Sequence, residues 1–324
     1  MILEVKDLRI EFPTRRGTLI AVDGVSFAIA PGEVLGVVGE SGAGKTLTGL
    51  AVVGLLEPPG RVAAGEIRLE GRRIDNLAHE EMRRVRGRRI GVVFQDPLTS
   101  LNPLYTIGAQ LEETILAHLD MSKAKAHERA LSLLREVGMP APEARFGNYP
   151  HQFSGGMRQR VVIALALAAE PSLVIADEPT TALDVSIQAQ IIALLKGLAR
   201  ARGTAVMLIT HDMGVIAEIA DRVAVMYAGR IVEIGPVRDV IHSPRHPYTA
   251  GLMGSIPTIS FSKKRQLAQI EGAMPRLNAI PPGCAFNPRC PKRFDRCLVE
   301  RPSLMPAGSS ETACWLHERA PLNP

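Results

Sequence analysis

The stretch GESGAGKT, residues 39–46, constrains this chain more than any other feature of its 324 residues. The apolar run EVLGVV precedes it and a helical run follows, which is the context that a phosphate-binding glycine loop requires. Glycines let backbone N–H groups point inward around phosphate oxygens, and the helix N-terminus adds positive potential. Lys45 can reach the β- and γ-phosphates, and Thr46 can bind Mg²⁺. The alternative is an ordinary glycine turn with a surface lysine. The candidate phosphate-loop residues are Gly39, Ser41, Gly42, Gly44, Lys45 and Thr46.

A second motif, LVIADEP, ends an apolar run in two acidic residues. A strand in this place would deliver Asp177 to Mg²⁺, and Glu178 could then polarise the attacking water. Alone, two acids after a strand are more often a helix N-terminal cap. Together with the glycine loop, they favour a site that hydrolyses a nucleoside triphosphate.

A third motif, FSGGMRQR, places Ser154, Gly155 and Gly156 at the start of a predicted helix. A serine hydroxyl, bare backbone and a helix N-terminus together make a second anion site. Because the chain already has one phosphate loop, this site makes sense if it completes the nucleotide site of another subunit.

With these motifs in this order, residues 1 to about 255 resemble the ATP-binding cassette (ABC) family. The resemblance implies that Gln95 contacts Mg²⁺ or the lytic water and that His211 contacts the γ-phosphate. It also implies that Asp184 lies at a dimer seam and that Phe12 stacks on adenine. Without the neighbouring motifs, a lone Gln or His at a strand end is more often a surface residue. One aromatic after a strand is more often part of the core.

The order of apolar runs predicts an α/β fold. The strands LVIAD (173–177) and AVMLIT (205–210) flank a helical run, which predicts a mainly parallel sheet. The expected fold is a P-loop NTPase ABC cassette with an antiparallel β-subdomain, an α-helical subdomain and a small Cys-rich C-terminal module. The predicted boundaries are residues 1–255 for the cassette, about 96–165 for its helical subdomain, and 256–324 for the module.

The stretch HPYT (246–249) and the four cysteines after it narrow the resemblance to the ATPase subunits of the dipeptide/oligopeptide/nickel permease family. That family implies an importer for di- or oligopeptides. Its implied partners are a second ATPase chain, which can be a copy or a homologue, two transmembrane permease subunits and an extracytoplasmic substrate-binding protein. Nickel or another small solute is the alternative cargo.

Two other function classes are less well supported. A soluble ABC ATPase acting on nucleic acid typically carries two cassettes or a long coiled coil, and no sustained heptad pattern lies between Lys45 and Asp177. The net charge of +5 comes with no basic run longer than RGRR, so we expect no nucleic-acid partner. A non-catalytic cassette is disfavoured because Glu178 is present.

The N-terminal stretch MILEVKDLRIEF has no apolar signal core, and no apolar run reaches the ~18 residues of a membrane span. We therefore expect the chain on the cytoplasmic face of the cell membrane, as a peripheral subunit in a reducing compartment where disulfides are improbable.

The cysteine spacing, C-x5-C-x6-C-x16-C, leaves three alternatives open. The gaps are longer than those of zinc modules, whereas four thiolates with longer gaps can bind a [4Fe–4S] cube. The family resemblance implies such a cluster; zinc and free thiols remain the alternatives. A metal centre would supply folding energy as a structural staple, and redox gating of transport is a further hypothesis. The candidate ligands are Cys284, Cys290, Cys297 and Cys314.

Overall fold

The computed structural model describes residues 1–181, 183–255 and 269–318. The predicted module at 256–324 thus lies partly outside the described residues. In chain order the strands are β1 (Leu3–Thr14), β2 (Gly17–Ile29), β3 (Val34–Val38), β4 (Arg61–Leu69), β5 (Arg72–Arg73), β6 (Ile90–Val93), β7 (Leu173–Asp177), β8 (Ala205–Ile209), β9 (Arg222–Tyr227), β10 (Arg230–Pro236), β11 (Met305–Ala307) and β12 (Ser310–Thr312). The helices are α1 (Lys45–Val52), α2 (His79–Val85), α3 (Pro97–Ser100), α4 (Ile107–His118), α5 (Lys123–Glu136), α6 (Pro142–Arg145), α7 (Gly155–Leu167), α8 (Val185–Arg202), α9 (Met213–Ile219), α10 (Val237–His242), α11 (Pro247–Gly254) and α12 (Asp295–Val299), with short 3₁₀ turns at Pro150–Gln152, Asn287–Arg289 and Trp315–His317.

The central sheet has the strand order β11-β12-β10-β9-β3-β8-β7-β6. Its middle strands β9, β3, β8, β7 and β6 run parallel. Every residue of β3 and of β8 is buried, which is typical of a parallel sheet covered on both faces. The predicted α/β class with a mainly parallel core is therefore confirmed, and β9 and β10 form a hairpin that turns at Ala228–Gly229.

Alternate residues of the central strands pack into two different cores. Val34 and Val38 of β3 face the helices, whereas Leu35 and Val37 face α1 and the second sheet. Successive side chains of a strand point to opposite faces of the sheet. A strand that is covered on both faces therefore needs a continuous apolar run.

The second sheet is antiparallel, with the order β2-β1-β4-β5. It forms the predicted antiparallel β-subdomain and packs its buried face, which includes Leu8 and Ile10, against the core.

The helices α3 to α7 form the predicted helical part of the cassette. The Ser122 hydroxyl accepts a hydrogen bond from the Lys125 amide and so caps the start of α5. It ends at Glu136, just before Gly138, and its buried Leu133 and Leu134 join the core. Among all helices that the structure describes, none is both long and apolar enough to cross a membrane.

The C-terminal tail is continuous with the central sheet. Strand β12 pairs antiparallel with β10, with Glu233 opposite Thr312, and β11 pairs with β12. The Phe286 ring, 2% exposed, belongs to the main core cluster. We expected an appended module here; three-residue strands carry too little periodicity to be recognised in the sequence. The boundary at 255/256 stays a prediction.

Replacement of Phe286 by alanine should destabilise the whole chain and not the tail alone. The ring lies edge-on to Tyr227 and tilted to Tyr248, with centroids 5.2 Å and 5.4 Å away. A cavity there costs about 3–5 kcal/mol of unfolding free energy. Urea unfolding followed by circular dichroism measures it. The control is Phe294→Ala, because Phe294 is 42% exposed. A Phe286→Ala chain with the control's midpoint would contradict this packing.

Candidate functional site

The carboxyl ends of four neighbouring parallel strands meet at one edge of the central sheet. Strand β3 leads into the glycine loop 39–44, and β7 ends at Asp177. Gln95 follows β6 and His211 follows β8. Ligands of open α/β sheets bind at this edge, so the topology brings together the groups that the sequence predicts.

Lys45, at the first position of α1, lies inside the glycine loop. Its ammonium donates to the carbonyl oxygens of Gly39 (2.8 Å) and Glu40 (3.1 Å), and the residue is 6% exposed. Burial lowers the pKa of Lys45 from its ordinary value, although the nearby acidic groups oppose this shift. The loop can close this tightly because Gly39 has φ 151° and a Cβ there would lie 2.3 Å from the carbonyl oxygen of Met226.

Thr46 and Asp177 form the part of the site suited to a divalent cation. The Thr46 hydroxyl donates to Oδ1 of Asp177 at 3.2 Å. Burial raises the pKa of Asp177, with the Thr46 hydrogen bond acting in the opposite direction. Within the described ranges, no three His, Cys, Asp or Glu side chains are grouped to hold a metal ion. Mg²⁺ does not require such a cage, because one carboxylate plus substrate phosphates and water commonly bind it.

Glu178 is the centre of the polar network. Its carboxylate accepts hydrogen bonds from Nε2 of Gln95 (3.1 Å) and from the Thr181 hydroxyl (2.9 Å), and Nδ1 of His211 lies 3.1 Å away. Burial alone would raise the pKa of Glu178, but the hydrogen bonds with His211 and Thr181 and the positive charges of His211 and Lys45 hold it below its ordinary value. Sequence reasoning missed Thr181, since a threonine after DEPT has no distinctive signal.

The backbone at Glu178 adopts an uncommon conformation. Its φ of 47° lies in the left-handed region, which a non-glycine residue rarely occupies. Its amide donates to the carbonyl oxygen of Ile209 at 2.8 Å, which ties β7 to the end of β8. Strain of this kind is commonly found at functional sites.

The phosphate loop opens into a cavity of about 500 Å³, within the usual range for a small-molecule site. Four of its lining residues come from the C-terminal tail, which sequence reasoning did not foresee. The ring of Phe12 is not part of the lining and lies beside Gly60 instead. The lining residues are Ala21, Ser41–Leu47, Gln95, Glu178, His211 and Met274–Leu277.

The second anion motif lies elsewhere on the chain. Ser154 caps α7 by accepting from the Met157 amide, and Asp184 caps α8 by accepting from the Ile187 amide. A Cβ at Gly156 would lie 2.6 Å from Cγ2 of Ile187, so the two helix starts are packed together. Ser154 and Asp184 are exposed and do not line the phosphate-loop cavity.

The stretch HPYT contacts the phosphate loop and holds it in place. His246 caps α11 and is buried, which lowers its pKa to about 3. The Tyr248 hydroxyl accepts a hydrogen bond from the Glu40 amide at 2.9 Å. From the tail, Arg289 donates to the Glu40 carboxylate at 3.0 Å. One residue of the phosphate loop is therefore held by two C-terminal segments.

The four cysteines surround one small cavity, which they share with His246, Phe286 and Trp315. The Cys284 amide donates to the Cys297 carbonyl oxygen at 2.9 Å, which joins two of the candidate ligands through the backbone. None of them is part of a group of three or more ligands that would fit a single metal ion, as far as the described residues extend.

Comparisons with known proteins agree with these motifs. The family model "ABC transporter" matches residues 22–181, and the model "Oligopeptide/dipeptide transporter, C-terminal region" matches residues 232–297. The chain is 49% identical to the dipeptide transport ATP-binding protein DppD of Bacillus subtilis, over 98% of this chain and 95% of that protein. It is 53% identical to the oligopeptide transport ATP-binding protein OppD of the same organism, over 88% and 80%. Its structure is similar to the dimeric ATP-binding cassette MJ0796 bound to ADP and phosphate, with a TM-score of 0.66 and 29% identity over 73% and 99% of the two chains.

Removal of the Tyr248 hydroxyl should lower the unfolding free energy of the chain, because this hydroxyl holds the phosphate loop. Tyr248→Phe leaves the Glu40 amide without its acceptor, which should cost about 1 kcal/mol of unfolding free energy. Urea unfolding measures it, with Tyr105→Phe as the matched control because Tyr105 is 54% exposed. If both variants unfold at the same urea concentration, the Tyr248 contact does not hold the loop.

Proposed function

Because this chain belongs to the family of ATP-binding subunits of dipeptide and oligopeptide ABC transporters, we propose that it is the ATPase that powers the import of short peptides across a membrane. The observation that carries the proposal is the contact of Gln95 and His211 with Glu178, in the same cavity as Lys45. A cassette that binds nucleotide without hydrolysing it would not need these contacts to Glu178.

In the proposed mechanism, Lys45 and the amides of the glycine loop hold the β- and γ-phosphates of ATP. Thr46, Asp177 and Gln95 are the residues that would hold Mg²⁺, and their oxygen atoms suit that cation. When bound, Mg²⁺ neutralises charge on the phosphates.

Glu178 is the proposed general base that polarises the attacking water. Gln95 and His211 hold its carboxylate in place through direct contacts, so that a water between Glu178 and the γ-phosphate is oriented for in-line attack. The His211 side chain is 63% exposed in the single chain, so its ring can turn towards the γ-phosphate. Phe12 remains the residue that the family resemblance implies for adenine stacking.

A second ATPase subunit is the proposed partner at the nucleotide. Ser154, Gly155 and Gly156 lie at an exposed helix start outside the chain's own cavity, and Asp184 lies beside them. A head-to-tail dimer of this chain with a copy or a homologue would place them over the partner's nucleotide. ATP would then close the seam and hydrolysis would open it. The cassette MJ0796, to which this chain is similar, is a dimer.

The proposed docking surface for the two transmembrane permease subunits follows Gln95. Leu98, Leu104 and Tyr105 are exposed there by 62%, 80% and 54%, which is unusual for large apolar side chains. Contact at this surface would place the chain on the cytoplasmic face of the cell membrane. Peptide would then be delivered from the other side by an extracytoplasmic substrate-binding protein.

Reconstitution with the permease subunits tests the function. Binding protein loaded with a short peptide should raise the ATPase rate, and Glu178→Gln should lower that rate about 100-fold or more while ATP binding persists. Empty binding protein is the control. Stimulation by nickel alone would support the small-solute alternative, and stimulation by nucleic acid without permease would support a soluble ABC ATPase.

We further propose that Cys284, Cys290, Cys297 and Cys314 hold a [4Fe–4S] cluster. The fit rests on their shared cavity. A cube binds its ligands at corners that are farther apart than ligands of one ion, which suits the long gaps between these cysteines; zinc is the alternative. When bound, the cluster would stabilise the fold of the tail. Redox gating of transport would also require a partner that exchanges electrons with the cluster.

Metal analysis of the full chain tests the cluster. Chain purified without oxygen should contain iron and sulfide at about four each per polypeptide and absorb visible light. Cys290→Ser should lose both, whereas Arg293→Ala, at an exposed position between the ligands, should keep them. One zinc without colour would support the zinc alternative, and no metal would leave free thiols.

A further inference from the structure

The nucleotide cavity is lined by groups suited to phosphate and by groups that are not. Lys45, Glu178 and His211 mark the end where the γ-phosphate would lie. The polyphosphate would run along the loop amides, so the base and ribose would lie at the other end. Among the described residues, no Phe, Tyr or Trp side chain lines the cavity.

The tail segment Met274–Leu277 also lines this cavity. Met274, Pro275 and Leu277 are half-buried, and Met274 packs against both core clusters. Its sulfur accepts a hydrogen bond from the Ala228 amide at 3.4 Å, which fixes the segment to the β9–β10 turn. Arg276 is exposed, and none of the ion pairs found among the described residues involves it.

We propose that Met274–Leu277 forms one wall of the base-and-ribose subsite, in addition to the stacking position implied for Phe12, and that Arg276 is its recognition residue. The inference rests on the proposed function and names a subsite of it. An apolar wall suits the face of a purine, and a guanidinium can stack on a base or donate to ribose hydroxyls. Lys45 and the loop amides already serve the phosphates, so Arg276 adds affinity for the nucleoside.

Arg289 is the positioning residue for this wall. Its guanidinium donates to the carbonyl oxygens of Glu271 at 2.9 Å and Gly272 at 3.3 Å, just before Met274. The same group pairs with the Glu40 carboxylate at 3.0 Å, and its side chain is only 7% exposed. Arg289 therefore fixes the spacing between the phosphate loop and the tail wall, and it directly precedes Cys290.

Calorimetric titration of the full chain with ATP and with inorganic tripolyphosphate tests the subsite. Arg276→Ala should weaken ATP binding about tenfold and leave tripolyphosphate binding unchanged, because tripolyphosphate lacks the nucleoside. Arg293→Ala, another exposed tail arginine, is the matched control and should change neither. Unchanged ATP affinity in Arg276→Ala, or equal weakening of both ligands, overturns the assignment. Wild-type chain that binds neither ligand would instead overturn the proposed function.

A double-mutant cycle tests the role of Arg289. Arg289→Lys keeps the charge but loses the fork of hydrogen bonds, and it should weaken ATP binding more than tripolyphosphate binding. If Arg289 acts through the segment Met274–Leu277, the double variant should bind ATP no more weakly than the single variant with the lower ATP affinity. Additive losses, or equal losses for both ligands, would show that Arg289 acts apart from this subsite.

Discussion

The meeting of four strand ends at one edge of the central sheet is the constraint on which the rest of the molecule depends. Strands β3, β6, β7 and β8 are parallel and adjacent, so the residues that follow them must lie side by side. Glu178 can therefore contact Gln95 and His211, although 83 and 33 positions separate them along the chain. The buried, two-faced apolar core keeps these strands in register and hence keeps the distances within the site fixed.

The sequence predicts the parts of this site that are local. Three such parts can be recognised from a few consecutive residues: the glycine loop, the acidic strand end and the serine helix cap. Their chemistry depends on neighbouring backbone groups. The fold class follows from apolar runs that alternate with helical runs. Thr181 could not be foreseen, since its role comes from the turn that returns its hydroxyl to Glu178.

The tail shows the limit of sequence reasoning most clearly. Its strands are three residues long, too short for a recognisable period, and they join a sheet formed far earlier in the chain. The ring of Phe12 lies beside Gly60, and its stacking on adenine stays a prediction of the family resemblance. The cavity wall of Met274–Leu277 depends on contacts across most of the chain, for which no local pattern exists.

The two supports of Glu40 also have a consequence for the order in which the chain is made. Tyr248 lies 208 residues after Glu40 and Arg289 lies 249 residues after it. Because a ribosome releases the N-terminal part first, the phosphate loop emerges long before either support. A nascent chain that stops short of residue 289 carries the complete loop sequence without the contacts that hold its geometry. The geometry of the phosphate loop is thus completed only after residue 289 has been added to the chain.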